Sequence, residues 1–139
     1  MSPITIDVVV KRDIDHVWKC WTDPQCITKW NQASADWHCP KAINDLTVGG
    51  KLSATMAAKD GTASFDFGGV YTKIEKNNLI SFAMTDGRKV TITFEKVDDA
   101  TTKITETFDA ETENTEELQR TGWSAILASF KSHCESHRR

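Results

Sequence analysis

No apolar run in the 139-residue sequence approaches the roughly 20 residues that a membrane-spanning helix needs. There is no excess of basic charge either: 17 Lys and Arg stand against 20 Asp and Glu, mixed along the chain. That balance offers no basic stripe to nucleic acid and no polybasic anchor to a lipid surface. The first residues, Met1-Ser2-Pro3-Ile4-Thr5-Ile6-Asp7, lack a basic segment followed by an apolar one, so no secretory signal is expected and a cytoplasmic location is. The four cysteines, Cys20, Cys26, Cys39 and Cys134, contain no CxxC pair. The one zinc set their positions suggest is His38-Cys39 beside Cys20 and Cys26. They are read instead as free, buried thiols. GxSxG, Walker and dinucleotide-binding motifs are missing as well, and neither cofactor nor metal is expected.

What is present is the pattern of one domain spanning 1–139. Ile4, Ile6, Val8 and Val10 alternate with polar residues, as in a half-buried strand. Asp13 can cap a helix carrying Ile14, Val17, Trp18 and Trp21, and Asp23-Pro24 ends it and starts a second short one through Trp30. Residues 31–49 read as irregular and turn-rich. A meander follows: Leu52, Ala54 and Met56 alternate up to Asp60-Gly61, and Phe65 to Ile74 is strand with a bulge or bend expected at Gly68-Gly69. Leu79 to Thr85, Val90 to Phe94 and Ile104 to Phe108 are further strands, with a hairpin turn at Asp86-Gly87. A long helix over about 114–136 closes the chain. Asn114 is its expected cap, and Trp123, Leu127, Phe130 and Cys134 form its apolar face.

Strand, two short helices, hairpins and one long helix predict an α+β fold in which a curved antiparallel sheet wraps the C-terminal helix. The motifs resemble a known family. Val17-Trp18, Trp21-Thr22-Asp23-Pro24, Leu46 to Lys51, Phe65 to Tyr71, Asp86-Gly87-Arg88 and Glu116 to Trp123 are similar, in order and spacing, to the START-like (SRPBCC, helix-grip) superfamily. Within it they resemble the branch named for the activator of heat-shock protein 90 ATPase homologue. The resemblance implies a helix-grip fold and a cavity between sheet and helix. It implies a chaperone contact only weakly, because nothing in this sequence corresponds to the second domain of the larger eukaryotic activator. It sets no oligomeric state.

The expected occupant of such a cavity is a small apolar, aromatic or lipid-like molecule. Four of the five tryptophans fall before residue 38. Trp18 and Trp21 read as packing, whereas Trp30, Trp37 and Trp123 are candidates for an aromatic wall. Tyr71, Phe82, Met84 and Leu127 complete the candidate apolar lining. Glu106 shares a strand face with Ile104 and Phe108, so it is either a ligand's polar anchor or part of a stripe that reaches solvent. Arg88, Gln119 and Arg120 are its candidate partners. Asp66 faces the cavity only if Phe65 and Phe67 face away. Arg120 can equally serve a structural ion pair. His133 and His137 have helical spacing but read as a cationic helix end. Ligand binding is the leading function, and a cyclase- or hydrolase-type reaction using a cavity acid or Tyr71 is the alternative.

Overall fold

Alternation decides which side of each strand is buried in this computed structural model, which describes residues 3–136. Along β1 (Pro3–Val10), Ile4, Ile6 and Val10 are buried while Thr5, Asp7 and Val9 are exposed. Two short helices follow, α1 (Ile14–Thr22) and α2 (Pro24–Trp30). Asp13 caps the first by accepting the His16 amide at 3.2 Å, and Asp23 caps the second by accepting the Gln25 amide at 2.9 Å. Six strands come next: β2 (Trp37–Asn44), β3 (Lys51–Ala58), β4 (Ser64–Glu75), β5 (Leu79–Met84), β6 (Lys89–Asp98) and β7 (Thr101–Asp109). The chain then enters α3 (Glu116–Ser136).

The seven strands form one curled antiparallel sheet in the order β1-β7-β6-β5-β4-β3-β2. Its concave face buries Ile4, Ile80, Ile92, Ile104 and Phe108 from four strands, with Leu127 and Phe130 of α3 packed into the same core. The expected α+β helix-grip architecture is the one observed. α3 runs beside the edge strand β1 and protects it chemically. The Arg120 guanidinium donates to the Thr5 carbonyl at 2.8 Å, and the Lys131 ammonium to the Val9 carbonyl at 2.6 Å. These cations occupy edge groups that would otherwise recruit another strand. Arg120 therefore has a structural task in the edge, not an ion pair. Among the described residues no helix is long and apolar enough to cross a membrane.

Three local expectations need correction. Residues 37–44, within the stretch read as irregular, form the strand β2. The strand lies at the sheet edge, and Pro40 sits where its register shifts between His38 and Lys41, a place that needs no amide donor. Gly68-Gly69 is not a bulge: the β3–β4 register runs unbroken from Lys51–Val70 to Ala57–Ser64, and the irregularity in β4 falls between Tyr71 and Lys73. The glycines are there because a Cβ at Gly68 would collide with the Leu52 carbonyl oxygen, and one at Gly69 with that of Ala83. Finally, Thr115 rather than Asn114 caps α3, its hydroxyl accepting the Leu118 amide at 3.0 Å. His137, assigned to the cationic end of this helix, lies outside the described residues, as do Arg138 and Arg139.

Gly122 of α3 makes the useful contrast, since a Cβ there meets open space. Gly68→Ala should lower stability by about 1–3 kcal/mol through overpacking of neighbouring backbone. Gly122→Ala should raise it by about 0.5–1 kcal/mol through helix propensity. Urea denaturation of both variants checks this; equal effects at the two positions would contradict the close strand approach.

Candidate functional site

Seven strands at about 4.8 Å spacing span roughly 30 Å before curling, whereas a helix is only about 10 Å across. One helix beside β1 therefore leaves part of the concave face uncovered. That part is a cavity of about 360 Å³. Leu52, Ala54 and Met56 of β3, Phe67 and Tyr71 of β4, and Phe82 of β5 supply its sheet side. Gly122, Trp123 and Ile126 of α3 form the helix side, and Trp21, Ile27 and Trp30 close the end formed by the short helices. Phe65 and Leu118 line the same space while remaining exposed, so they stand at its rim.

Aromatic contacts hold these walls together. Trp123 stacks on Phe108 with ring centres 3.9 Å apart and meets the edge of Phe67 at 5.7 Å. Phe67 in turn contacts Phe82, which contacts Tyr71. Such offset and edge-to-face pairs contribute beyond simple area burial. At the other end Trp21 touches Trp30 and Phe130. Trp21, assigned to packing alone, thus both packs and lines the cavity.

Most polar groups of the lining are already committed. The Tyr71 hydroxyl donates to Asn44 Oδ1 at 2.6 Å, and burial pushes its pKa up to about 12. Gln119 is saturated within its own loop: its Oε1 accepts the Glu111 amide at 2.8 Å, while its Nε2 donates to the carbonyls of Glu111 and Asn114. Arg88 Nε pairs with Asp86 at 2.7 Å. Neither Arg88 nor Gln119 serves Glu106, and Arg120 is spent on the sheet edge.

Glu106 is different. Its place on β7 sets it between Ile104 and Phe108 on the buried face, and its residue is only 7% exposed. Among the described residues none hydrogen-bonds to it or forms an ion pair with it. Burial alone pushes its pKa up to about 8. The group is consequently protonated at neutral pH, because an isolated carboxylate in such a site costs several kcal/mol. The alternative of a stripe reaching solvent does not hold.

Seven of the eleven candidate residues come together around this space: Trp30, Tyr71, Phe82, Arg88, Glu106, Gln119 and Trp123. Four do not line it. Asp66 points to the opposite face because Phe65 and Phe67 on either side of it face the cavity, and it accepts the Thr55 hydroxyl at 2.8 Å in an exposed position. Trp37 starts the edge strand and packs on Phe65. Met84 is buried at the end of β5 next to the Asp86-Gly87 turn, beyond Phe82. Leu127 lies one turn past Trp123, pressed into the core. Leu52, Met56 and Phe67 line the space as well; the alternating 52/54/56 run carries the signal for the first two.

Residues 11–135 match the family model described as activator of Hsp90 ATPase homolog 1-like protein. The chain belongs to this family. The AHSA1-like protein from Aeromonas hydrophila, solved in solution, is 43% identical, with a TM-score of 0.88 over 99% of each chain. A Cytophaga hutchinsonii protein is 52% identical, with a TM-score of 0.82 over 98% of this chain and 96% of that one. The Aha1 dimer from Colwellia psychrerythraea, at 18% identity and a TM-score of 0.74 over the full length of both chains, shares the fold. No curated protein sequence matches.

In this AHSA1-like chain the buried acid makes stability depend on pH. Glu106 titrates near 4.5 when unfolded and near about 8 when folded. Between those values the folded state holds a proton that the unfolded state has lost, so stability falls as pH rises and levels off above about 8. Surface carboxylates act the other way: Glu135, held low by its hydrogen bond from Lys131, adds stability as pH rises through the acid range, below this window. Glu106→Gln should remove the decline between about pH 5 and 8 and gain up to about 5 kcal/mol over the wild type at its upper end. Urea titrations across that range measure it; parallel profiles would mean that Glu106 is solvated.

Proposed function

We propose that the chain binds a small, largely apolar molecule between the sheet and α3, with one polar group of that molecule bonded to the Glu106 carboxyl. The observation that carries this reading is a buried carboxyl with no hydrogen-bond or ion-pair partner among the described residues, set in the lining of an apolar cavity. Ligand sites commonly have this composition, many apolar walls and few polar groups that orient the occupant. A neutral carboxyl both donates and accepts, which suits a carbonyl, hydroxyl or amide. It leaves a desolvation cost that such a ligand group offsets.

Acid–base catalysis by Glu106 and Tyr71 is less well supported. A proton-transfer pair needs two groups whose pKa values are driven apart into acid and base. Here burial drives both toward their neutral forms, and the Tyr71 hydroxyl is given to Asn44.

Titration with fatty acids, flavonoids and polyketide-like compounds tests the proposal through tryptophan fluorescence, because Trp21, Trp30 and Trp123 line the space. A binder carrying a carbonyl should show saturable quenching or a shift. Glu106→Leu should weaken it about 5–10-fold, the equivalent of one hydrogen bond. Trp123→Ala should weaken binding too. It should also destabilise the fold by less than the ~3–5 kcal/mol of a fully buried ring, since Trp123 is half-buried. Affinities are compared on variants shown to be folded by circular dichroism. No saturable response from folded wild type across the screen would remove the proposal. The exposed rim residues Phe65 and Leu118 would then favour a protein-docking role, such as a chaperone contact.

A further inference from the structure

Glu106 shares its unpaired state with a second buried group of the cavity wall. Beside Tyr71, three buried polar residues line the space: Glu106, Gln119 and Asn31. Gln119 is saturated within its own loop. Asn31 is 8% exposed, and among the described residues none hydrogen-bonds to its side-chain amide.

Helix capping does not account for this asparagine. Asn31 closes α2, where its backbone N–H donates to the Ile27 carbonyl at 3.0 Å. Asparagine is favoured at helix ends where the backbone turns left-handed. Here φ is -81°, a conformation open to any residue. Its side chain caps no carbonyl of the helix either. A buried amide whose bonds are left unmade costs free energy, as a buried carboxyl does.

We propose that Asn31 is a second polar anchor of the cavity, and that the bound molecule is a flat aromatic compound with oxygen functions at two ends, one bonded to Asn31 and the other to Glu106. Given the ligand-binding reading, on which this assignment rests, the occupant is narrowed to one chemical class. The anchors stand on different walls. Asn31 ends α2, which packs on β2, whereas Glu106 belongs to β7, five strand positions from β2 in the sheet. The curl of the sheet turns these walls toward one space, which both residues line. Trp21, Trp30, Phe67, Phe82 and Trp123 make the rest of the lining largely aromatic, which suits a ring system in offset or edge-on contact. The amide supplies two N–H donors and one carbonyl acceptor, and the neutral carboxyl also donates and accepts, so a hydroxyl or ketone fits either anchor. A fatty chain brings one polar head and leaves one anchor unpaired. Sites built around buried polar groups discriminate against ligands that cannot pair them.

Calorimetric titration of the full-length protein tests this with three probes: apigenin, which carries hydroxyls on both terminal rings; chrysin, which lacks the hydroxyl on one of them; and laurate, a chain with a single head. Apigenin should bind the wild type, and Asn31→Leu and Glu106→Leu should each weaken it about 5–10-fold, the equivalent of one hydrogen bond. In the double variant the two losses should multiply, because both bonds exist in one complex. Chrysin should be weakened by only one of the two substitutions. Leucine nearly matches asparagine in shape and removes an unpaired amide, so the Asn31 variant should fold; circular dichroism verifies this, and Asn31→Ala replaces it if it does not. Equal apigenin affinities of the wild type and the folded Asn31 variant would overturn the second anchor, while a loss in Glu106→Leu alone would leave the single-anchor reading standing. Saturable binding of laurate but not of apigenin would overturn the two-ended ligand and keep the cavity as a binding site. Saturation by none of the three would overturn the second anchor as well, and the wider screen then decides the reading beneath it.

Discussion

The central constraint is a mismatch of size: a single long helix has to cover the buried face of a seven-stranded sheet. α3 meets it by lying beside β1, where Arg120 and Lys131 occupy edge carbonyls and Leu127, Phe130 and Cys134 enter the core. The sheet meets it by curling. At Gly68 and Gly69 the neighbouring Leu52 and Ala83 carbonyls leave no room for a side chain. What curling and the helix leave over is covered at one end by α1 and α2. The cavity is the remainder, and its position follows from the placement of α3 at one edge.

Within that remainder Glu106 is a group whose chemistry is not closed by the protein. The same alternation that buries Thr102, Ile104 and Phe108 on β7 carries Glu106 inward. Thr102 finds a partner, donating to the Arg12 carbonyl at 2.9 Å, whereas Glu106 finds none among the described residues. A protein retains a buried acid at some expense in stability. The shared fold of the Aeromonas and Cytophaga relatives accounts for the architecture, but folds host many functions, and the argument for function rests on this side chain and its surroundings.

The two interior clusters also divide the molecule. Phe108, Trp123, Phe67, Phe82 and Tyr71 form an aromatic wall around the cavity. Where the three helices converge, Trp21, Trp30 and Phe130 pack together, and the thiols of Cys20, Cys26 and Cys134 gather nearby. The Trp30 indole links the two regions: it lines the cavity and donates to the Cys20 carbonyl at 2.9 Å.

Local pattern alone determined the order of the elements other than β2, the helix start at Asp13 and the break at Asp23-Pro24, the Asp60-Gly61 and Asp86-Gly87 hairpins, and the strand face that Glu106 shares with Ile104 and Phe108. Each depends on dihedral preference or on a two- or four-residue period, which neighbours in the chain establish. Only the tertiary structure decided the rest. Asp66 faces outward because Phe65 and Phe67 meet the helix side of the sheet, and Pro40 is tolerated because its strand is an edge. Arg88 and Gln119 bind elsewhere because closer acceptors capture them first. Cys20 and Cys134 are 114 residues apart in sequence, and only the packing of α1 against α3 makes them neighbours. Contacts between distant segments depend on how faces stack, and no local period encodes that.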